Sequence, residues 1–340
     1  MLAGYPELAA VLVAAAIGLS AQRPLAWLAA RQGINVLLAV LVFATAVTIE
    51  RAALRRAALA WRSLLAALAA GVTVLPALSW AASRMVPAGS LRDGVLVVGL
   101  APCEIASVAT TALAGGEAAL AAGLLIGSTI AAIAVAGPLL SLEAGQAGFS
   151  PGGIAMSLAL VVALPLATGL ALRATLHKRS VTRISAGRVE RAASLTAIAA
   201  VSALVALIAA EVHLSAGYAS VAGALAAFLL ASALVGRLLG RRTPRPRAAA
   251  LLLTTSMRDF AIAAALAAAA FGPPAAAPLG LYGILVLIWG TAAAGVLRRP
   301  TPVTECQYPP LPSQAAPRTR PTSWARGTRR RARRPTTRRG

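Results

Sequence analysis

Three ionisable residues lie where an apolar chain can least accommodate them. Glu104 falls within "VGLAPCEIASVATTALAGGEAAL" (98–120), and Arg258 and Asp259 fall within "LLLTTSMRDFAIAAALAAAAF" (251–271). A charged side chain at the centre of a membrane-spanning helix costs at least a few kcal/mol, so it faces a pathway, a partner or a solute. Two acids against one base leave a carboxylate able to take up a proton, and a guanidinium fork suits a carboxylate bidentately. The chemistry is therefore recognition of an anion with a possible proton step. A purely structural Arg-Asp-Glu cluster locking two helices is the alternative. Pro102 removes a backbone donor and clashes with the preceding turn, which predicts a helix break near Ala101 to Glu104. The half-helix beyond it would start with free N–H groups and a positive dipole end suited to anions. Cys103 and Glu104 sit at that start, and Ser107, Thr111, Thr254, Thr255 and Ser256 are the nearby hydroxyls. A kink that only packs helices, with a small buried cysteine and a glutamate paired to Arg258, remains the plainer reading.

These residues need a frame inside a bilayer. The composition, 59% hydrophobic and 12% charged with a mean hydropathy of +0.78, is that of an integral membrane protein. Crossing a hydrocarbon core of about 30 Å takes about 20 residues. Charged or Pro/Gly breaks divide the apolar runs at 5–22, 34–49, 61–83, 94–114, 117–141, 151–174, 191–211, 216–236, 247–271 and 276–297, predicting ten spans. The runs are continuously apolar, which excludes a barrel. The opening "MLAGYPELAAVLVAAAIGL" lacks a basic leader and reads as a retained first span. The charged runs are the fourth members of two five-span halves, 5–141 and 151–297. That correspondence predicts an inverted repeat with discontinuous helices four and nine crossing at the midplane.

Basic residues orient the chain. With the N-terminus inside, fifteen basic residues lie in inner connections, from Arg51 to Arg247, against Arg23, Arg31, Arg84 and Arg92 outside. Both termini are expected in the cytoplasm, in a multi-pass plasma-membrane protein. The net charge of +22 splits between those loops and a Pro/Arg-rich tail, 300–340, expected to be disordered beyond a transporter domain of 1–299. Lipid headgroups account for this charge, so no specific nucleic-acid partner is expected. Cys103 and Cys306 are placed too differently to form a disulfide, and His177 and His213 have no ligand spacing around them. Trp61 and Trp80 bracket the third span as interface anchors. No cofactor or metal is expected, and neither H-E-x-x-H nor a paired-Asp magnesium motif argues for an enzyme.

The run from Pro102 to Ser107, followed by Thr111, Leu113, Ala114, Gly116 and Glu117, resembles the fourth-span signature of the bile acid:sodium symporter superfamily, P-x-x-x-A-S before T-x-L-A-x-G-D. The segment Ser256 to Ala263 resembles that family's ninth-span G-M-Q-N-x-G-L-A in step. "LPLATGL" (164–170) resembles its sixth-span P-x-x-x-G, and Pro76 matches a third-span proline. The likeness spans roughly Pro6 to Arg298. It implies ten helices in two inverted repeats, forming a panel and a core domain, and sodium-coupled uptake of an organic anion.

The ligands that the resemblance implies are largely missing. At the positions of the family's first sodium site stand Ser107, Val108, Ala121, Leu125 and Thr254, and the second site adds Gly71 and Arg258. Sodium needs several oxygens in place of its water, and this set is degenerate. Arg258 would then supply a tethered positive charge, neutralised by Glu104 or Asp259. The expected activity is secondary transport of a small anionic solute, bound by Glu104, Ser107, Thr111, Thr254, Thr255, Ser256, Arg258 and Asp259. The coupling ion is left open between H⁺ and Na⁺. The arsenite permeases, a rival branch, carry a fourth-span cysteine where Cys103 stands, so a metalloid or thiol site there is a second reading. Their ninth-span glutamate aligns with Ala261. A transport-inactive sensor or scaffold acting through the basic tail is a third.

Overall fold

The computed structural model describes residues 13, 14, 16–18, 20–28, 33–49, 51–144, 151–178, 183–210 and 217–298, all within one compact unit, Met1–Arg298. Most of the first expected span (5–22), together with Arg31, Arg179, His213, Cys306 and the tail from 301, lies outside the described residues. Among them the fold is all-helical. The helices are α1 Gln22–Leu28, α2 Ile34–Thr48, α3 Arg51–Leu59, α4 Trp61–Ser83, α5 Ser90–Val97, α6 Ala106–Leu113 and α7 Ala118–Ala144. After them come α8 Pro151–Leu158, α9 Leu164–Lys178, α10 Arg183–Ala210, α11 Gly217–Gly240, α12 Arg245–Ser256, α13 Phe260–Phe271 and α14 Ala277–Leu297.

Among the described residues, six stretches are long and apolar enough to cross a membrane: Trp61–Ser83, Ala118–Leu142, Ala155–Thr175, Arg191–Ala210, Gly217–Gly240 and Pro273–Leu297. The sequence predicts ten spans with the fourth and ninth discontinuous, and beside these six long helices the described residues show two interrupted apolar runs. The runs expected at 94–114 and 247–271 are each split into two short helices, α5 with α6 and α12 with α13. The run at 34–49 yields α2, whose 15 residues rise about 22 Å at about 1.5 Å each. Proline is tolerated inside α4 (Pro76) and α7 (Pro138). In both, a serine one turn on uses the carbonyl of the proline, Ser79 at 2.9 Å and Ser141 at 2.7 Å.

The first break follows from Pro102. A 3₁₀ turn, Val98–Leu100, closes α5, the chain extends at Ala101, and α6 begins only at Ala106. The second break needs no proline, because α12 ends at Ser256, Met257 is extended, and Asp259 caps α13 with its side chain. Both breaks leave backbone groups with no helical partner, and in lipid such groups must be met by protein. They meet each other. Glu104 N donates to the Met257 carbonyl and Asp259 N to the Pro102 carbonyl, each at 2.9 Å, forming an antiparallel bridge centred on Cys103 and Arg258. The half-helices cross-pack accordingly, α5 on α13 and α6 on α12, and α14 lies against α5, α6, α11 and α13.

Lipid tails are as apolar as leucine, so close packing of small residues holds such helices together more than apolar burial does. Gly99 lets the 3₁₀ turn rest on the Leu75 carbonyl and Ser79 of α4, where a Cβ would collide with backbone. Gly94 gives α5 the same approach to Ala275 and Pro278. Larger buried side chains surround the crossing, with Phe228 of α11 edge-on to Tyr282 of α14 at 6.1 Å between centroids.

Candidate functional site

The crossed breaks hold all three intramembrane charges. Glu104 and Arg258 are each 4% exposed, and Asp259 is fully buried. Each carboxylate occupies a helix start. Asp259 Oδ1 accepts from the N–H groups of Ala261 and Ile262, both at 2.9 Å. Glu104 Oε2 accepts from Phe260 N, the first residue of α13, at 3.3 Å. Free donors and a positive dipole end favour this placement. The positive half-helix ends, expected from sequence to receive a solute anion, are thus taken by the chain's own acids.

The guanidinium goes the opposite way, to the carbonyl end of a half-helix. Arg258 Nη2 donates to the Ala101 carbonyl, Nη1 lies 3.8 Å from Cys103 Sγ, and Nε has no partner. Among the described residues no carboxylate lies within 4.0 Å of it. The expected neutralisation of Arg258 by a pair with Glu104 or Asp259 is therefore corrected. The same dipole logic that draws acids to N–H ends draws the cation to a free C=O.

Arg258 instead lines a narrow cleft between α4, α7 and α12. Cys103, Ser128, Thr254 and Thr255 line the same end, and Val72, Leu124, Val135 and Leu139 are among its apolar walls. Gly71 faces the guanidinium directly: a Cβ there would stand 3.9 Å from Nη1 and Nη2. Two positions that the resemblance assigned to one sodium site, Gly71 and Arg258, therefore share one space.

The remaining candidates separate. Ser107 and Thr111, one turn apart on α6, are buried with unpartnered hydroxyls and do not line this cleft. Ser256 faces α14, where its Oγ accepts from Trp289 Nε1 at 2.9 Å. Thr254 donates back to Ala250 at 2.7 Å. Val108 and Leu125 pack with the apolar cluster around Cys103 and Leu124, and Ala121 is buried. Val108, Leu125 and Ala121 thus contribute packing and no side-chain oxygen.

Two contributors escaped the sequence reading. Ser128 Oγ accepts from the Cys103 N–H at 3.0 Å while donating to Leu125, so α7 satisfies the first break. Tyr282 Oη does the same at the second, accepting from Arg258 N and donating to the Ser256 carbonyl, both at 3.3 Å. The adjacent hydroxyls Ser128 and Thr129 in an apolar run, and a tyrosine deep in the last one, were the available signals.

A model of the Sodium Bile acid symporter family matches residues 35–219, more than half of the 340. No curated protein matches the chain significantly. The matched region carries the first break with Pro102, Cys103 and Glu104, whereas Arg258 and Asp259 lie beyond it. With its apolar helices and this match, the chain is a multi-pass membrane transporter and belongs to the sodium bile acid symporter family.

Proposed function

We propose that this protein is a secondary transporter for a small organic anion in which the Arg258 guanidinium stands where a symporter of this family would hold a sodium ion. The observation that carries the reading is the buried guanidinium in the cleft beside Gly71 with no carboxylate partner. A buried cation favours a bound anion as its counter-charge. The site residues are Arg258, Cys103, Thr254 and Thr255, with Glu104 and Asp259 holding the crossing. In this reading ten helices form two inverted five-helix repeats, with the halves 5–141 and 151–297 crossing through α5/α6 and α12/α13. Both termini face the cytoplasm at the plasma membrane, and the tail 300–340 lies outside the transporter domain. Residues Val108, Ala121, Leu125 and Gly71 give sodium no ligands, so coupling passes to protons through Glu104 or Asp259, or is absent.

The arsenite reading rests on Cys103, whose thiol lines the cleft. It is the weaker one, because trivalent arsenic seeks several thiols and Cys103 is the free cysteine among the described residues. The test is uptake of a panel of organic anions and arsenite into proteoliposomes carrying wild type or Arg258→Gln. The reading expects a transported organic anion and a loss of at least tenfold in the variant. Uptake that survives Arg258→Gln removes the tethered cation from the mechanism.

A further inference from the structure

We propose that α3 and the turn between α11 and α12 form one docking surface for the anionic phospholipid headgroups of the surrounding bilayer. The inference is independent of the transported solute. Helix α3 has nine residues and rises about 13 Å at about 1.5 Å each, too little to cross a hydrocarbon core of about 30 Å. It follows α2, and Ala60 alone separates it from the long apolar α4, so it lies at a membrane face. Its small-residue side rests on α7: Ala57 and Ala60 are buried, and a Cβ on Gly123 would stand 2.5 Å from the Ala57 Cβ. The opposite side is open, with Arg55 and Arg56 exposed and Leu59 82% exposed between them on the helix surface. Such a face suits the boundary of a leaflet, with the guanidinium groups on phosphate and the leucine toward the acyl chains. The start of α4 continues it. Trp61 and Leu65, one turn apart, are more than half exposed, and the Arg62 guanidinium lies over the Trp61 ring, 5.3 Å from its centroid. Tryptophan marks the headgroup level, so Arg62 is presented at the depth of the phosphates.

A second basic segment reaches the same end of α7. The α11–α12 turn carries Arg241, Arg242 and Arg245, all exposed. It is held at the start of α7 by Glu117 N, which donates to the Pro246 carbonyl at 2.8 Å, and by the Glu117–Arg247 pair. Gly123, on which α3 rests, follows within two turns of α7. Both segments therefore flank one helix start, whose dipole adds positive potential. Among the described residues no carboxylate lies within 4.0 Å of Arg55, Arg56, Arg62, Arg241, Arg242 or Arg245. Charge decides the occupant. A surface this basic repels the chain's own Arg-rich tail and the same surface of a second copy, whereas an anionic leaflet supplies phosphates at the required depth. The other end of α4 gives the contrast: Arg84 lies over Trp80, 4.7 Å from the ring centroid, but α5 brings Arg92 there together with Asp93 and adds no net charge.

The experiment is mass spectrometry of the intact full chain released from detergent micelles that contain equal amounts of phosphatidylglycerol and phosphatidylcholine, with the retained lipids counted. Wild type is expected to retain phosphatidylglycerol over phosphatidylcholine by at least about fivefold. Combining Arg55→Gln, Arg56→Gln and Arg62→Gln should lower that preference by at least about threefold, and Arg241→Gln with Arg242→Gln should lower it as well. The preference should persist in Arg84→Gln, on deletion of 300–340, and with inorganic phosphate added at the lipid concentration. All the substituted arginines are exposed; where the α3 variant folds poorly, the turn variant decides. No preference in wild type, a preference unchanged by the arginine variants, or one lost in Arg84→Gln or with the tail alone overturns the proposal. Displacement of the lipid by inorganic phosphate would also overturn it, since the surface would then be a site for a free anion.

Discussion

Arg258 and the two acids show how a half-broken helix sorts charge. Glu104 and Asp259 take N–H ends, Arg258 takes a C=O end, and the three meet at one crossing without an ion pair among them. Asp259→Asn keeps an oxygen for the cap but removes the charge that can bind a proton. Under a pH gradient with an acidic exterior it is expected to lower uptake more than it lowers the unfolding midpoint, and the ratio of the two effects is the readout. Tyr282 makes a sharper stability prediction. Tyr282→Phe leaves the Arg258 N–H and the Ser256 carbonyl without a partner, at about 1–3 kcal/mol for each unsatisfied group. The expected loss of about 2–6 kcal/mol is measured by thermal unfolding in detergent. A loss below about 1 kcal/mol would mean that water or another group reaches the break. By contrast, Glu117 and Arg247, paired at 3.0 Å but partly exposed, are expected to matter by under about 1 kcal/mol.

At the scale of elements, the crossing depends on how closely helices approach. Gly99→Val would drive a Cβ into the Leu75 carbonyl and Ser79 of α4, so it should prevent recovery of monodisperse protein by size exclusion. Gly223→Ala, with nothing within 4 Å of its Cβ, should be neutral or stabilise α11 by up to about 1 kcal/mol. Both breaks could be read from the sequence, the first because proline cannot continue a helix, the second because charge in an apolar run marks irregular backbone. Their partners could not. Which carbonyl Arg258 reaches is set by the crossing of chain segments over 150 residues apart, and no local pattern encodes that. Ser128 and Tyr282 stayed hidden because a serine in a helix usually bonds its own carbonyls and a buried tyrosine usually packs. Only the three-dimensional position of the breaks turns them into plugs.

The whole molecule joins a family match over 35–219 to a second half that carries its most unusual residue. If the tail is only an electrostatic attachment to lipid, deleting 300–340 should leave uptake in proteoliposomes unchanged, whereas a scaffold or sensor acting through its Arg-rich sequence would lose its function. The central claim is that a covalently held cation has replaced a diffusible one, and cation replacement tests it most directly. Initial uptake of the transported anion should be measured in proteoliposomes with external sodium or potassium at equal ionic strength and no membrane potential, for wild type and Arg258→Gln. The account predicts equal rates in the two salts for wild type and a loss of at least tenfold in Arg258→Gln in both. A wild-type rate that requires sodium would contradict it, showing that the chain still builds a sodium site from other oxygens.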